Sequence, residues 1–124
     1  MDTTERKTLL YVDDEVINLK LFEVTFKKYY SVLIAESGEK ALEILQHNQN
    51  INFVISDMRM PGLNGLEFIL LANNMYPHIH YFLLSGYALS DEIRQAMDAN
   101  IIKQYFQKPL NRDTILQSLE NCNA

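Results

Sequence analysis

The chain has 124 residues, the size of one ordinary domain, and 48% of them are apolar, ample for a single core. Its formal net charge of −5 argues against a nucleic-acid footprint, and Cys122, the sole cysteine, excludes an internal disulfide. Met1 to Glu5 is polar and acidic, unlike a secretory leader, and no apolar run approaches the roughly 20 residues of a membrane helix, so a cytoplasmic protein without membrane contact is expected.

Leu9 to Val12 is a continuous apolar run ended by Asp13-Asp14-Glu15. A run without alternation suits a strand buried on both faces of a parallel sheet. Val16 to Tyr30 has helical period: Lys20, Glu23 and Lys27 share an outward face, Phe22 and Phe26 lie opposite, and Ile17, Leu21 and Val24 flank them. Ser31 to Ala35 reads as the second strand. Ser37 then caps a helix that turns Ala41, Leu42, Ile44 and Leu45 inward. Phe53, Val54 and Ile55 form the third strand, with Asp57 just past its end, and Pro61, Gly62, Asn64 and Gly65 turn the chain into a helix from Leu66 to Met75, stopped before Pro77. Tyr81 to Leu84 is the fourth strand, leading to Ser85-Gly86. Ser90-Asp91-Glu92 caps a helix carrying Ile93, Ala96 and Met97. Ile101 to Phe106 is the fifth strand, before Lys108-Pro109, and Asn111 or Asp113 starts the last helix, with Ile115, Leu116 and Leu119 as its apolar residues.

Strands alternating with helices imply βαβ units and a parallel sheet covered on both faces. All carboxyl ends of such strands share one rim, where open α/β sheets bind ligands. Asp13, Asp14, Asp57, Ser85 and Lys108 fall on that rim. Three carboxylates together repel one another unless a cation is present, and an all-oxygen donor set suits Mg2+. Carboxylates are known nucleophiles toward phosphorus. Asp57 is therefore expected to carry a phosphoryl group, with Lys108 stabilising charge on the equatorial oxygens and the Ser85 hydroxyl donating to one of them.

Val12-Asp-Asp-Glu15, the segment S-D-M-R-M-P-G-L-N-G at 56–65, Ser85-Gly86 and Lys108-Pro109 resemble, in order and on the right elements, the receiver domain of two-component response regulators, such as chemotaxis receivers. The resemblance runs from Lys7 to the final helix. It implies a flavodoxin-like (βα)5 three-layer sandwich of strand order 2-1-3-4-5, one receiver domain over residues 1–124. It implies phosphorylation of Asp57 by a sensor histidine kinase or histidine phosphotransfer protein. It also puts Mg2+ on Asp14, Asp57 and the Arg59 backbone carbonyl, with Asp13 acting through water, and makes the Lys108–Pro109 peptide cis. By the same resemblance, Ser85 and Tyr105 switch inward together. The face of helix four, strand five and helix five then changes its partners: an effector domain, a downstream protein or a second copy of the chain. Arg59 and Tyr87 occupy positions that tune loss of the phosphoryl group, and their bulk implies slow self-dephosphorylation. Val16, on the outward half of helix one, is a candidate contact for a kinase helix, and a local packing role is its alternative.

Each residue has a plainer role when taken alone. Asp13 and Asp14 suit helix caps, Asp57 and Ser85 suit turns, Lys108 suits solvent, and Tyr105 suits packing. Cys122 reads as inert, and His47, His78 and His80 as surface or strand-end residues, with His78 and His80 on one strand face. The expected protein is a signalling switch with self-phosphorylation and self-dephosphorylation only, not a turnover enzyme. The alternative is a Mg2+-dependent phosphohydrolase of the haloacid-dehalogenase kind, which looks for D-x-D after strand one where this chain has D-D-E. A flavin module on the same fold is disfavoured, because Asp13-Asp14-Glu15 would repel a phosphate. The output module stays open, since nothing after the last helix specifies one.

Overall fold

The computed structural model describes residues 6–48 and 50–123; Met1 to Glu5, read above as no leader, lie outside the described residues. The elements are β1 (Thr8–Val12), α1 (Val16–Phe26), β2 (Ser31–Ala35), α2 (Gly38–His47), β3 (Ile51–Asp57), α3 (Gly65–Met75), β4 (His80–Ser85), α4 (Asp91–Asp98), β5 (Gln104–Gln107) and α5 (Arg112–Asn123). The strands form one parallel sheet in the order β2-β1-β3-β4-β5. This is the flavodoxin-like arrangement expected.

Strand periodicity sorts the core into two layers. Leu9, Tyr11, Phe53, Ile55, Phe82 and Leu84 face one way, onto Leu19, Phe22 and Phe26 of α1 and Ile115 and Leu119 of α5. Leu10, Val12, Val54, Tyr81 and Leu83 face the other, onto Ala41 and Leu45 of α2, Phe68, Ile69 and Ala72 of α3, and Ile93 and Ala96 of α4. Aromatic rings dominate the first layer: Tyr11 stacks on Phe22 with centroids 3.9 Å apart and planes within 3°, and Phe82 stacks on Phe106 at 5.7 Å.

Local chemistry sets the element ends. Ser37 accepts from the Lys40 amide and Ser90 from the Ile93 amide, the caps expected at both helices. Asn64 and Glu67 form a reciprocal capping box at α3, and Asn111, not Asp113, caps α5 by accepting from the Thr114 amide at 2.9 Å. Gly65 allows α3 to start against β3. A Cβ there would stand 2.2 Å from the Asp57 carbonyl oxygen and 2.8 Å from Leu83 Cδ1.

Four expectations are corrected. Helix α1 ends at Phe26 rather than Tyr30, because the chain turns at Lys27–Tyr29 and buries Tyr30 edge-on against Phe53. Leu19, not the flanking Ile17, Leu21 and Val24, completes its buried stripe; those three are 80%, 63% and 59% exposed, and Val16 is 51% exposed. Strand β5 starts at Gln104 rather than Ile101: Asn100 takes a left-handed conformation (φ 62°) after α4, and the Ile101 and Ile102 amides bond back to the Ala96 carbonyl. His78 precedes β4 and is exposed, so it does not share a strand face with His80. Among the described residues no helix is long and apolar enough to cross a membrane.

Candidate functional site

The carboxyl ends of β1, β3, β4 and β5 meet at one rim. Asp57 is the last residue of β3 rather than the first beyond it, held there because the Met58 amide still bonds the Leu84 carbonyl of β4. It follows Phe53 and Ile55 in strand period, so it leans toward the α1 and α5 side. Its side chain is nearly buried, and Lys108 Nζ lies 2.9 Å from Oδ1. The Lys108–Pro109 peptide is cis, and the Lys108 amide donates to the Ser85 carbonyl at 2.7 Å. The lysine is thus fixed to the end of β4 before its side chain reaches β3.

Asp13 is fully buried and held by both oxygens: the Tyr11 hydroxyl donates to Oδ2 at 2.7 Å and the Glu15 amide to Oδ1 at 3.0 Å. Asp14 is exposed at the rim. One carboxylate oxygen from each of Asp13, Asp14 and Asp57 lies within 4.8 Å of the others. Two of these carboxylates are buried, all donors are oxygen, and Lys108 is the cation in contact. Such a set fits a hard divalent ion such as Mg2+.

The electrostatics express the crowding. Burial, then the charges of Asp13 and Asp14, push the Asp57 carboxyl above its ordinary value, against the opposing pull of Lys108. Burial draws Lys108 down, but its bond to Asp57 and the charges of Asp57, Asp13 and Glu15 outweigh that and leave it raised. An ion-paired carboxylate usually falls below its ordinary value; here one lysine does not compensate burial and two neighbouring anions.

A cavity of about 270 Å³ opens over these groups, lined by Asp14, Glu15, Asp57, Arg59, Ser85, Gly86, Tyr87 and Lys108. Ser85 is buried, and its Oγ accepts from the Tyr87 amide at 3.1 Å, which leaves its own proton free to be donated. The Arg59 guanidinium stacks 4.2 Å from the centre of the Tyr87 ring, so the two bulky positions meet across the cavity mouth. Tyr105 is not in the cavity. It stands on β5, and its hydroxyl donates to the Tyr87 carbonyl, tying the strand to the loop after β4. A second, larger groove of about 750 Å³ runs between α1 and the β5–α5 loop, bordered by Leu21, Phe22, Lys108, Pro109 and Leu110.

The structure therefore gathers Asp13, Asp14, Asp57, Ser85, Arg59, Tyr87 and Lys108, and leaves Tyr105 adjacent. Sequence reasoning missed Tyr11. The available signal was an aromatic inside an aliphatic strand, two residues before Asp13 and so on the same side of it.

Comparison with known proteins gives a consistent result. The profile of the response regulator receiver domain matches residues 9–120. The hydrogenase transcriptional regulatory protein HoxA of Cupriavidus necator is 30% identical over 115 residues, 93% of this chain but 24% of that protein. The chain thus spans about a quarter of the length of such regulators. Chemotaxis protein CheY1 of Helicobacter pylori is 29% identical over 116 residues, covering 90% of this chain and 93% of that one. Among solved structures, a response regulator receiver domain protein from Clostridium thermocellum superposes with a TM-score of 0.86 at 27% identity, covering 93% of this chain and 92% of that one.

Proposed function

The chain belongs to the response regulator receiver domain family, and on that premise we propose that Asp57 is its phosphoacceptor and that one receiver domain occupies residues 1–124. An Asp57 carboxylate oxygen attacks the phosphorus of a phosphohistidine. An O–P bond forms as the P–N bond breaks, the bonding pair stays on the imidazole nitrogen, and an aspartyl phosphate results. Lys108 holds charge on the phosphoryl oxygens, and Ser85 donates its free proton to one of them. Asp13, Asp14, Asp57 and the Arg59 carbonyl would hold Mg2+, Asp13 through water; the ion, when bound, offsets the charge of the incoming phosphoryl group. The protein is a switch that phosphorylates and dephosphorylates itself, not a turnover enzyme. The phosphohydrolase alternative finds no support in the family match.

The donor is a sensor histidine kinase or a histidine phosphotransfer protein, and a cytoplasmic location goes with it. The exposed Leu21 borders a groove that Lys108 also lines, and with Val16 and Ile17 exposed on the same helix this side of α1 suits an apolar donor helix. The output face is α4–β5–α5, for an effector domain, a downstream protein or a second copy. Tyr105 reports the state of the pocket to it, through the bond to the Tyr87 carbonyl that ties the two. Arg59 and Tyr87 together slow the entry of hydrolytic water.

The observation that carries this reading is the 2.9 Å contact between Lys108 and an Asp57 carboxylate crowded by two further aspartates. Intact mass after incubation with acetyl phosphate and Mg2+ tests it. Wild type is expected to gain one phosphoryl group and Asp57→Asn none; equal gain by both sinks the assignment.

A further inference from the structure

We propose that Tyr11 is a positioning residue for the metal site. Its phenol orients Asp13, and the affinity of the pocket for Mg2+ depends on that hydroxyl. The inference rests on the reading of the pocket as a Mg2+-assisted phosphoacceptor site.

Tyr11 is almost wholly buried, on the strand that delivers Asp13, and its neighbours there are Leu9, Leu10 and Val12. Its ring has a packing role, flat against Phe22 of α1. Phenylalanine would fill that role equally well. The hydroxyl needs a separate explanation, because burying one without a partner is unfavourable. Its partner is Asp13 Oδ2, at 2.7 Å in a buried setting.

The Glu15 amide grips the other oxygen of the same carboxylate, at 3.0 Å. Two donors from separate segments, one on each oxygen, stop rotation about the Cβ–Cγ bond. The remaining lone pairs of Asp13 then have one orientation with respect to Asp14 and Asp57. Without the phenol only the backbone donor remains, and the carboxylate can turn about it. Groups that orient a metal's ligands typically change affinity by about 10- to 100-fold when removed. For an aspartate that acts through water the lower end applies, about tenfold.

Titration calorimetry of the unphosphorylated chain with MgCl2 tests the proposal, using wild type, Tyr11→Phe and Phe22→Leu. Tyr11→Phe keeps the stacked ring and loses only the hydroxyl. Phe22→Leu keeps the hydroxyl and loses the stack. The expected result is a Kd about tenfold weaker for Tyr11→Phe and within about twofold of wild type for Phe22→Leu, whose Tm alone falls. The rise in Tm that Mg2+ confers should shrink in Tyr11→Phe and persist in Phe22→Leu. Unchanged or tighter binding by Tyr11→Phe overturns the proposal, as does equal weakening by both variants, which would make packing the cause. Wild type that binds no Mg2+ at all overturns the functional reading on which it rests.

Discussion

Replacing Lys108 with methionine keeps the aliphatic stem and deletes the cation in contact with Asp57. At 2.9 Å, with an effective dielectric constant near 20, the gross attraction removed is about 6 kcal/mol. The lysine side chain is 35% exposed, so water and salt already screen part of that. A net loss of about 2–4 kcal/mol is the reasonable expectation for an Asp57 left buried beside Asp13 and Asp14. Asp57→Asn should behave oppositely. The folded carboxyl is held above its ordinary value by burial and the two aspartates, so the folded state takes up the proton first. Between the unfolded and the raised folded value, stability therefore falls as pH rises, and the ionised group is a burden at neutral pH. The amide should leave stability within about 1 kcal/mol of wild type or raise it. The double variant should then resemble Asp57→Asn, giving a coupling of about 2–4 kcal/mol. Urea unfolding at pH 7 without divalent ions, followed by circular dichroism, measures all four corners. Added Mg2+ should recover much of the loss in Lys108→Met. A loss below about 1 kcal/mol, or losses that simply add, would refute the account of the pocket as an under-compensated anionic cluster.

Further expectations concern the rest of the site and the core. Removing either half of the Arg59–Tyr87 stack by alanine should shorten the phosphoryl lifetime about two- to fivefold, the factor that corresponds to a partly exposed cation–π contact of about 0.5–1 kcal/mol, with no further loss in the double variant. Mass spectra over time read the lifetime, and unchanged decay in both single variants would dismiss a role for the stack in slowing hydrolysis. Gly65→Ala should lose at least about 3 kcal/mol, because the new carbon would overlap the Asp57 carbonyl oxygen at 2.2 Å; near-wild-type stability would mean the β3–α3 junction yields freely. Among the described residues the buried Nδ1 of His80 has no hydrogen-bond partner, and burial, with Lys103 and Lys7, holds its pKa below the ordinary value. The unfolded chain therefore takes the proton at higher pH. Stability should fall as pH drops below about 7, by at most about 1.4 kcal/mol per unit, and His80→Phe should flatten that slope in Tm measurements.

Much of the fold was legible because buried parallel strands announce themselves as unbroken apolar runs. Leu9 to Val12 and Tyr81 to Leu84 are such runs, and caps at Ser37 and Ser90 marked the helices between them. Helix α1 was less legible. It is apolar on two sides, and hydropathy alone does not tell the side that meets the sheet from the side left open, so Leu19 was missed while Ile17, Leu21 and Val24 were placed too near the core. Strand β5 was overextended because Ile101 and Ile102 are strand formers held in a return turn by a single carbonyl acceptor. That Asp13, Asp14, Asp57, Ser85 and Lys108 share one rim was legible from their places at strand ends. The Tyr11 hydrogen bond was not, since a tyrosine in a strand looks like packing until its hydroxyl is located.

The sheet order has a consequence for how this chemistry is owned. Asp13, Asp57, Ser85 and Lys108 sit at the ends of four different strands, far apart along the chain. Two halves of the protein, separated between β3 and β4 and kept apart, would together contain every reactive side chain and no reactive pocket. Under the proposed function, loading of Asp57 is therefore a census of intact molecules: any lesion that opens the sheet, however remote from the rim, lowers the loaded amount in proportion to the fraction it unfolds.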